Sequence, residues 1–204
     1  MPYVELLSYT PNPEYVIETA YLQCRNLSDN IDMVRATKNR KDRIHSMFAS
    51  GHLGLLEHAY ATFSISGISR SCTHQLVRHR IASYAQLSMR SVNCKDLKAV
   101  VPPEICRNQE ANMIYVDQVI RAFEVYEKLL ELGIEKEDAR FVLPIGTETE
   151  IVVSMNFRSW IHFLKLRLDP NAQWEIRMVA EEIHKELSRI APNVFDLKYR
   201  KYWE

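Results

Sequence analysis

The densest group of chemically capable side chains lies in the segment QLVRHRIASYAQLSMR, residues 75–90. It contains three arginines, one histidine, two serines and two glutamines, and it contains no acid. Arginine forks match phosphate oxygens bidentately, and hydroxyl and amide groups can complete the shell around the anion. The segment therefore favours an anion-binding site. A solvated basic helix face is the alternative, because most charge runs lie on the surface.

Two other kinds of chemistry compete with anion binding. Ser88 could act as a nucleophile, but a serine needs an adjacent base held by a third group, and the segment offers only the distant His79. His52, His58 and His162 could ligate a metal, but no HExxH pattern supports this, so we expect structural or cofactor-contact histidines. The chain also lacks GxGxxG and GxxxxGK[ST] loops, so side chains must hold any bound phosphate.

Hydrophobic periodicity predicts the elements that position these residues. Alternation over 59–66 predicts a half-buried strand that ends at Gly67, and three- and four-residue steps over 109–132 predict a long amphipathic helix that stops at Gly133. Further strands are predicted at 3–9 and 150–155. Further helices are predicted from the 10–15 turn to about Arg25, from the caps Ser28 and Asp29 to Ala49, from Ser69 to about Arg80, and over 157–168 and 172–190. This mixture predicts an α/β or α+β fold.

Composition limits the classes of partner. Lys plus Arg and Asp plus Glu are each 26, so no global field draws the chain to nucleic acid or to an anionic membrane. The chain is 47% hydrophobic and 25% charged, which predicts one globular domain over 1–204. The N-terminal residues do not form a signal peptide, so we expect a cytoplasmic protein. Four scattered cysteines predict buried free thiols rather than a zinc or redox site.

The spacing of the central segment matches a known family. Arg78, His79, Arg80, Ser83, Ser88 and Arg90 resemble RHRxxSxxxxSxR, the signature of the flavin-dependent thymidylate synthases. The resemblance continues upstream in residues 51–58 (GHLGLLEH) and downstream in Asp138-Ala139-Arg140, Asn156-Phe157-Arg158, His162-Phe163, Leu166-Arg167 and residues 172–177 (AQWEIR). These blocks span 51–177 in the family's order, so together they are far more specific than any one of them.

The resemblance implies a central, mostly antiparallel sheet flanked by helices, assembled as a homotetramer whose sites are shared between subunits. It also implies a reaction: NADPH reduces FAD, methylenetetrahydrofolate supplies one carbon to dUMP, and the flavin supplies the hydride that completes the methyl group of dTMP.

The resemblance also implies roles for individual positions. Arg167 corresponds to the arginine placed against the uracil ring and is the expected catalytic residue, because a fixed positive charge stabilises the anion that develops there. The expected FAD-binding residues are Gly54, Arg78, His79, Arg80, Gln86, Asn156, Phe157, Arg158 and His162. The expected dUMP-binding residues are Gln75, Leu76, Val77, Arg78, Gln86, Leu87, Ser88, Met89, Arg90, Arg140 and Arg167, with Ser88, Arg90 and Arg140 on the phosphate.

Four positions depart from the family pattern. Gly54 stands where a Ser or Thr is usual, so a hydroxyl that would reach the flavin phosphate is missing. Ala85 replaces an Asn or Ser, and Gln86 stands where some members have Glu. Phe157 is bulkier than the usual residue and is expected to narrow the flavin pocket. The competing functions are a non-catalytic nucleotide- or RNA-binding module and a helical scaffold with a decayed motif. Neither needs arginines at matching intervals far downstream.

Overall fold

The computed structural model describes residues 2–25, 39–197 and 203, and its strands form one antiparallel sheet. The order in the sheet is β1-β2-β4-β3, so β2 and β4 are the central strands. The mixed α+β fold with an antiparallel sheet is therefore confirmed. The strands are β1 (Tyr3–Tyr9), β2 (Tyr60–Ser69), β3 (Ser83–Gln86) and β4 (Glu148–Asn156).

The helices of the described residues are numbered here in chain order. They are α1 (Pro13–Cys24), α2 (Arg40–Ala49), α3 (Arg70–Leu76), α4 (Pro103–Arg107), α5 (Gln109–Glu131), α6 (Lys136–Ala139), α7 (Phe157–Arg167), α8 (Trp174–Ile190) and α9 (Pro192–Phe195). Two 3-10 helices cover Leu53–His58 and Arg140–Val142. None of these described helices is both long enough and apolar enough to cross a membrane.

Most predicted elements are confirmed within two residues at each end, and the exceptions include the end of β2 and the end of helix α3. β2 continues to Ser69 although Gly67 has a φ of 67°, because glycine takes this conformation without a steric cost. The short helices α4, α6 and α9 were not predicted. The predicted caps of the second helix, Ser28 and Asp29, lie outside the described residues, whereas its stop before Gly51 is confirmed, with φ 73° at that glycine.

Helix α3 is shorter than predicted, and this determines the backbone conformation of residues 78–80. The side chain of Ser69 accepts a hydrogen bond from the N–H of Cys72 at 3.0 Å, which confirms the predicted start. The helix ends at Leu76 rather than near Arg80. The Tyr84 hydroxyl donates to the His79 carbonyl at 2.8 Å. The Arg78-His79-Arg80 motif therefore lies on irregular backbone.

The chain clusters into two compact units. The first comprises Met1–Tyr3, Ile65–Arg78 and Ala85–Ile151, and the second comprises Val4–Ser64, His79–Tyr84 and Val152–Glu204. Buried Met89, Cys94, Tyr126 and Ala139 form a core in the first unit.

In the second unit, Trp160 is fully buried. It packs edge-on against Phe63 and Phe163, with ring centroids at 5.1 and 5.6 Å. Its indole N–H donates to the Ala61 carbonyl at 3.1 Å, which anchors helix α7 to strand β2.

Candidate active site

In the first unit, the Gln86 side chain is fixed at the end of strand β3. Its amide nitrogen donates to the hydroxyls of Thr73 at 3.0 Å and Thr149 at 3.2 Å. The Thr73 hydroxyl in turn donates to the Arg70 carbonyl at 2.9 Å. This chain of donors explains how an amide occupies a position where some family members have a carboxylate, because two hydroxyls accept from it.

The residues after Gln86 alternate between anchoring and exposure. The Leu87 N–H donates to the Glu150 carbonyl at 3.0 Å, and the Met89 side chain is buried in the core of the first unit. Ser88 and Arg90 are exposed between and beyond these anchors. The Ser88 hydroxyl and the Arg90 guanidinium therefore face solvent on a segment that Leu87 and Met89 anchor to the first unit.

Arg140 adds a second guanidinium to the first unit. It lies half-buried at the start of the second 3-10 helix, and its Nε donates to the Glu137 carbonyl at 2.9 Å. The Glu137 carboxylate lies 3.9 Å from the Arg90 Nε. Burial and the nearby Arg140 charge lower the pKa of Arg70, so a third guanidinium belongs to this basic cluster.

The remaining expected dUMP positions of this unit lie on and just after helix α3. Gln75 is half-buried, whereas Val77 and Arg78 are exposed. The Leu76 side chain is fully buried, so only its backbone could contact a ligand.

In the second unit, Arg167 is held by His79. The Arg167 Nε donates to the His79 Nε2 at 3.1 Å, which requires a neutral imidazole protonated on Nδ1. Burial, the Arg167 charge and His162 together lower the pKa of His79 to about 4. The His79 ring also lies 5.8 Å from His162 and 5.1 Å from Phe163, both on helix α7. His79 therefore stays neutral at physiological pH and orients the expected catalytic guanidinium.

Other expected flavin positions of the second unit lie around the start of helix α7. Asn156 caps this helix by accepting from the Ser159 N–H at 2.8 Å. Arg158 is exposed and pairs with Glu57 at 2.5 Å, which links it to the 3-10 helix that carries Gly54. Arg80, Gly54 and His162 are exposed.

Phe157 lies differently from expectation. Its side chain is fully buried and packs against Phe195 with ring centroids at 4.9 Å, while its N–H donates to the Ala59 carbonyl at 2.8 Å. A bulky side chain at this position therefore fills the core, and a flavin contact by this residue would have to use its carbonyl group.

The surroundings of Ser88, of possible metal ligands and of the cysteines bear on the competing chemistries. The Ser88 hydroxyl lies 3.5 Å from that of Ser91, and no histidine or carboxylate in the described ranges is hydrogen-bonded to it. No group of three or more His, Cys, Asp or Glu side chains among them could hold a metal ion. All four cysteines are free thiols, but Cys24 and Cys106 are exposed, so the expectation of burial holds only for Cys72 and Cys94.

The sequence analysis did not identify several residues that contact the expected site residues. Arg70, Thr73 and Thr149 surround Gln86 and Leu87, and Tyr84 fixes the His79 carbonyl. One signal was available for Arg70: residues 58–95 contain no Asp or Glu, and this acid-free stretch extends well upstream of the motif. The threonines carry no such signal, because only folding brings them to Gln86.

The fold and these side chains define an α+β protein with clustered arginines and hydroxyls, the kind of surface that binds phosphorylated ligands. The family described as "Thymidylate synthase complementing protein" matches residues 5–193. The chain belongs to this family.

Curated relatives named "Flavin-dependent thymidylate synthase" agree with this assignment. The relative from Clostridium tetani is 36% identical over 210 residues, which is 94% of this chain and 84% of the relative. The relative from Geobacter sulfurreducens is 40% identical over 197 residues, with the same coverage. The relative from Pyrococcus horikoshii is 42% identical over 192 residues, which is 91% of this chain and 79% of the relative.

Proposed function

We propose that this chain is a flavin-dependent thymidylate synthase that converts dUMP to dTMP. Methylenetetrahydrofolate donates the carbon, and NADPH reduces the FAD cofactor. The observation that carries this conclusion is the family match over residues 5–193, which encloses every motif arginine. The names of the relatives describe an enzyme, so the alternative of a non-catalytic nucleotide- or RNA-binding module is not supported.

Each residue group has a part in the proposed reaction. Ser88, Arg90 and Arg140 bind the nucleotide phosphate through charge-assisted hydrogen bonds. Arg167, oriented by neutral His79, stabilises the negative charge that develops on the uracil ring when its carbon becomes nucleophilic. Gln86 and the Gln75–Arg78 residues position the nucleotide.

The residues present also fit FAD. The exposed cations Arg78, Arg80 and Arg158 and the exposed His162 are suitable donors for a pyrophosphate and for an anionic reduced ring. Asn156, Gly54 and the Phe157 carbonyl are proposed as further contacts. When bound, this cofactor supplies the hydride that reduces the transferred methylene group to a methyl group.

We also propose that the chain is a single domain that assembles as a homotetramer with sites built by more than one subunit. The continuous family match supports the single domain, and the family resemblance supports the assembly. The proposed substrates are charged, water-soluble metabolites, which supports a reaction in the cytoplasm.

The function is tested with purified protein. We expect the visible absorption of bound flavin, its bleaching by NADPH, and dTMP formation from dUMP only when methylenetetrahydrofolate is present. Colourless protein that FAD cannot reconstitute would refute the proposal. Protein that contains flavin but makes no dTMP would show that the chain is a flavoprotein with a different activity.

A further inference from the structure

Helix α5 exposes large apolar side chains that the proposed reaction does not use. Met113 and Ile120 are 65% and 52% exposed, and Val125 and Leu132 are 40% and 70% exposed. Leu132 directly follows the helix, and its N–H donates to the Lys128 carbonyl at 3.1 Å, so it continues the last turn. Residues seven positions apart differ by about two turns, so these four side chains form two rows along the helix. Apolar side chains that are exposed together mark an interaction surface.

A row of charged side chains lies between the two apolar rows. It consists of four exposed residues of alternating sign, Asp117, Arg121, Glu124 and Lys128. This row faces away from the core, because the buried residues of the helix, Ala122 and Tyr126, lie on its opposite side. Among the residues that the structure describes, none of the four charged side chains takes part in an ion pair. The chain's own contacts therefore do not use these charges.

The charged row is complementary to itself. When two copies of the helix pack antiparallel about a twofold axis, residues equally far from the axis on either side of it face each other. With the axis midway between positions 122 and 123, Asp117 faces Lys128 of the partner subunit. In the same way, Arg121 faces Glu124 of the partner subunit, and each pair occurs twice by symmetry. This register therefore places opposite charges against each other along the whole row.

The same register also matches the two apolar rows. Met113 faces Leu132 of the partner subunit, and Ile120 faces Val125 of the partner subunit. The first row of one copy therefore packs on the second row of the other. This packing buries apolar surface on both sides of the charged row, as in the core of an interface between identical chains.

We propose that this face of helix α5 is an interface between two copies of this chain, packed antiparallel about a twofold axis. The apolar rows supply the buried area, and the charged row sets the register. A slip of one helical turn in one direction would place Asp117 against Glu124 of the partner subunit. A slip in the other direction would place Arg121 against Lys128 of the partner subunit. Like charges disfavour both alternatives. The inference depends on helix α5 alone and goes beyond the proposed activity.

The test is a zero-length carbodiimide cross-link, which joins a carboxylate to a lysine amine only when the two groups are in contact. Asp117 and Lys128 of one chain lie about 16 Å apart along the helix axis, because each residue adds about 1.5 Å. A cross-link between them must therefore join two copies. We expect this product in purified wild-type protein, identified by mass spectrometry. Glu182 and Lys185, paired at 3.6 Å within helix α8, verify that the reaction works. Absence of the first product in the presence of the second overturns the proposal.

Two charge reversals test the register. Arg121→Glu and Glu124→Arg each place like charges against each other across the twofold axis. Each alone should lower the yield of the cross-link by about tenfold or more. An equal mixture of the two variants should restore the yield, because the acidic pair of one chain then faces the basic pair of the other. Arg189→Glu is the matched control, since exposed Arg189 pairs with Glu186 on helix α8, and it should leave the yield unchanged.

The remaining outcomes also decide the question. Wild-type yields in both reversals would overturn the register, and a loss that the mixture does not restore would overturn the pairing of the two charged rows. If a reversal does not fold, Arg121→Gln replaces it and should lower the yield severalfold, and an unchanged yield overturns the proposal. Chains that make dTMP without forming the cross-link refute this inference alone. Chains that form the cross-link but make no dTMP refute the proposed function alone.

Discussion

The hydrogen bond from Arg167 to His79 connects the fold to the proposed chemistry at the scale of single residues. A guanidinium can stabilise a developing anion only if its orientation is fixed before the charge appears. Here the fixing group is a buried imidazole, which irregular backbone and the Tyr84 hydroxyl hold in place. Helix α3 ends at Leu76, so His79 lies on the irregular backbone that follows it.

Arg167→Ala should abolish most dTMP formation and leave flavin binding intact. Removing one donor that acts on transition-state charge typically costs about 100- to 1,000-fold in kcat. The measurement is dTMP production alongside the visible flavin spectrum. Arg167→Lys is the control, because it keeps the charge without the Nε donor to His79 and should recover only part of the activity. Loss of the flavin spectrum in Arg167→Ala would contradict the assigned role.

The low pKa of His79 predicts a specific pH dependence of stability. The folded protein holds this imidazole neutral down to about pH 4, whereas an unfolded chain protonates it near its ordinary pKa of 6.5. Its contribution to stability is therefore full above pH 6.5 and is lost as the pH falls towards 4. The test is the thermal unfolding midpoint between pH 7 and pH 4.5 for wild type and His79→Gln. The midpoint of wild type should fall more steeply, and equal slopes would disprove this role.

Gly54 offers room for the hydroxyl that the family usually has. A Cβ added at Gly54 would meet no atom within 4 Å, and its backbone does not adopt a positive φ. Gly54→Ser should therefore fold normally and bind FAD about 2- to 10-fold more tightly, the value of one added hydrogen bond. Fluorescence titration of apoprotein with FAD measures this. Gly51→Ser is the control: it also has open space but a φ of +73°, so it should lower stability without improving FAD binding.

At the scale of elements, a buried carboxylate joins helices α1 and α2. Glu18 is 1% exposed, and its two oxygens accept from Arg40 at 2.9 Å and Arg43 at 2.5 Å. Glu18→Gln should destabilise the protein by about 2–4 kcal/mol, because two partly buried cations would lose their counter-ion. Urea unfolding measures the change. Glu186→Gln, in an exposed pair with Arg189, should cost less than about 0.5 kcal/mol. An equal loss of unfolding free energy in the two variants would contradict the expected effect of burial.

Sequence periodicity predicted two elements well. Strand β2 was predicted because Ala61, Phe63 and Ile65 alternate with polar residues, and these three side chains are buried in the structure. Helix α5 was predicted because its apolar residues recur at three- and four-residue steps. The end of helix α3 at Leu76 was not predicted, because residues 76–80 contain no glycine or proline that would mark a stop. The same limit applies to the site. The family resemblance predicts roles for Arg140 and Arg167, but only the structure brings Thr149 to Gln86 and Arg70 to Leu87.

At the scale of the whole molecule, the motif positions divide between the two compact units. Gln75, the Gln86–Arg90 segment and Arg140 belong to the first unit, whereas His79, Arg158 and Arg167 belong to the second. One nucleotide and one cofactor must meet at one place for a methyl group to form. The proposed residue roles therefore assign both groups to one site, which can be built within one chain or across two chains.

Complementation between inactive variants distinguishes these two arrangements. Arg90→Ala and Arg167→Ala should each be nearly inactive alone. If one subunit contributes Arg90 and another contributes Arg167, random mixing gives roughly a quarter of sites with both arginines, because each contributing chain is suitable about half the time. Sites built within one chain cannot be rescued, since every chain carries one of the two substitutions.

The two variants are unfolded together, refolded together and assayed for dTMP formation, with a mixture of separately refolded variants as the control. Mass spectrometry of differently tagged chains shows whether mixed oligomers have formed. Shared sites predict activity near a quarter of the wild-type value, well above the control. Activity equal to the control in confirmed mixed oligomers would place Arg90 and Arg167 in the same subunit's site, and the function would then not require the proposed sharing.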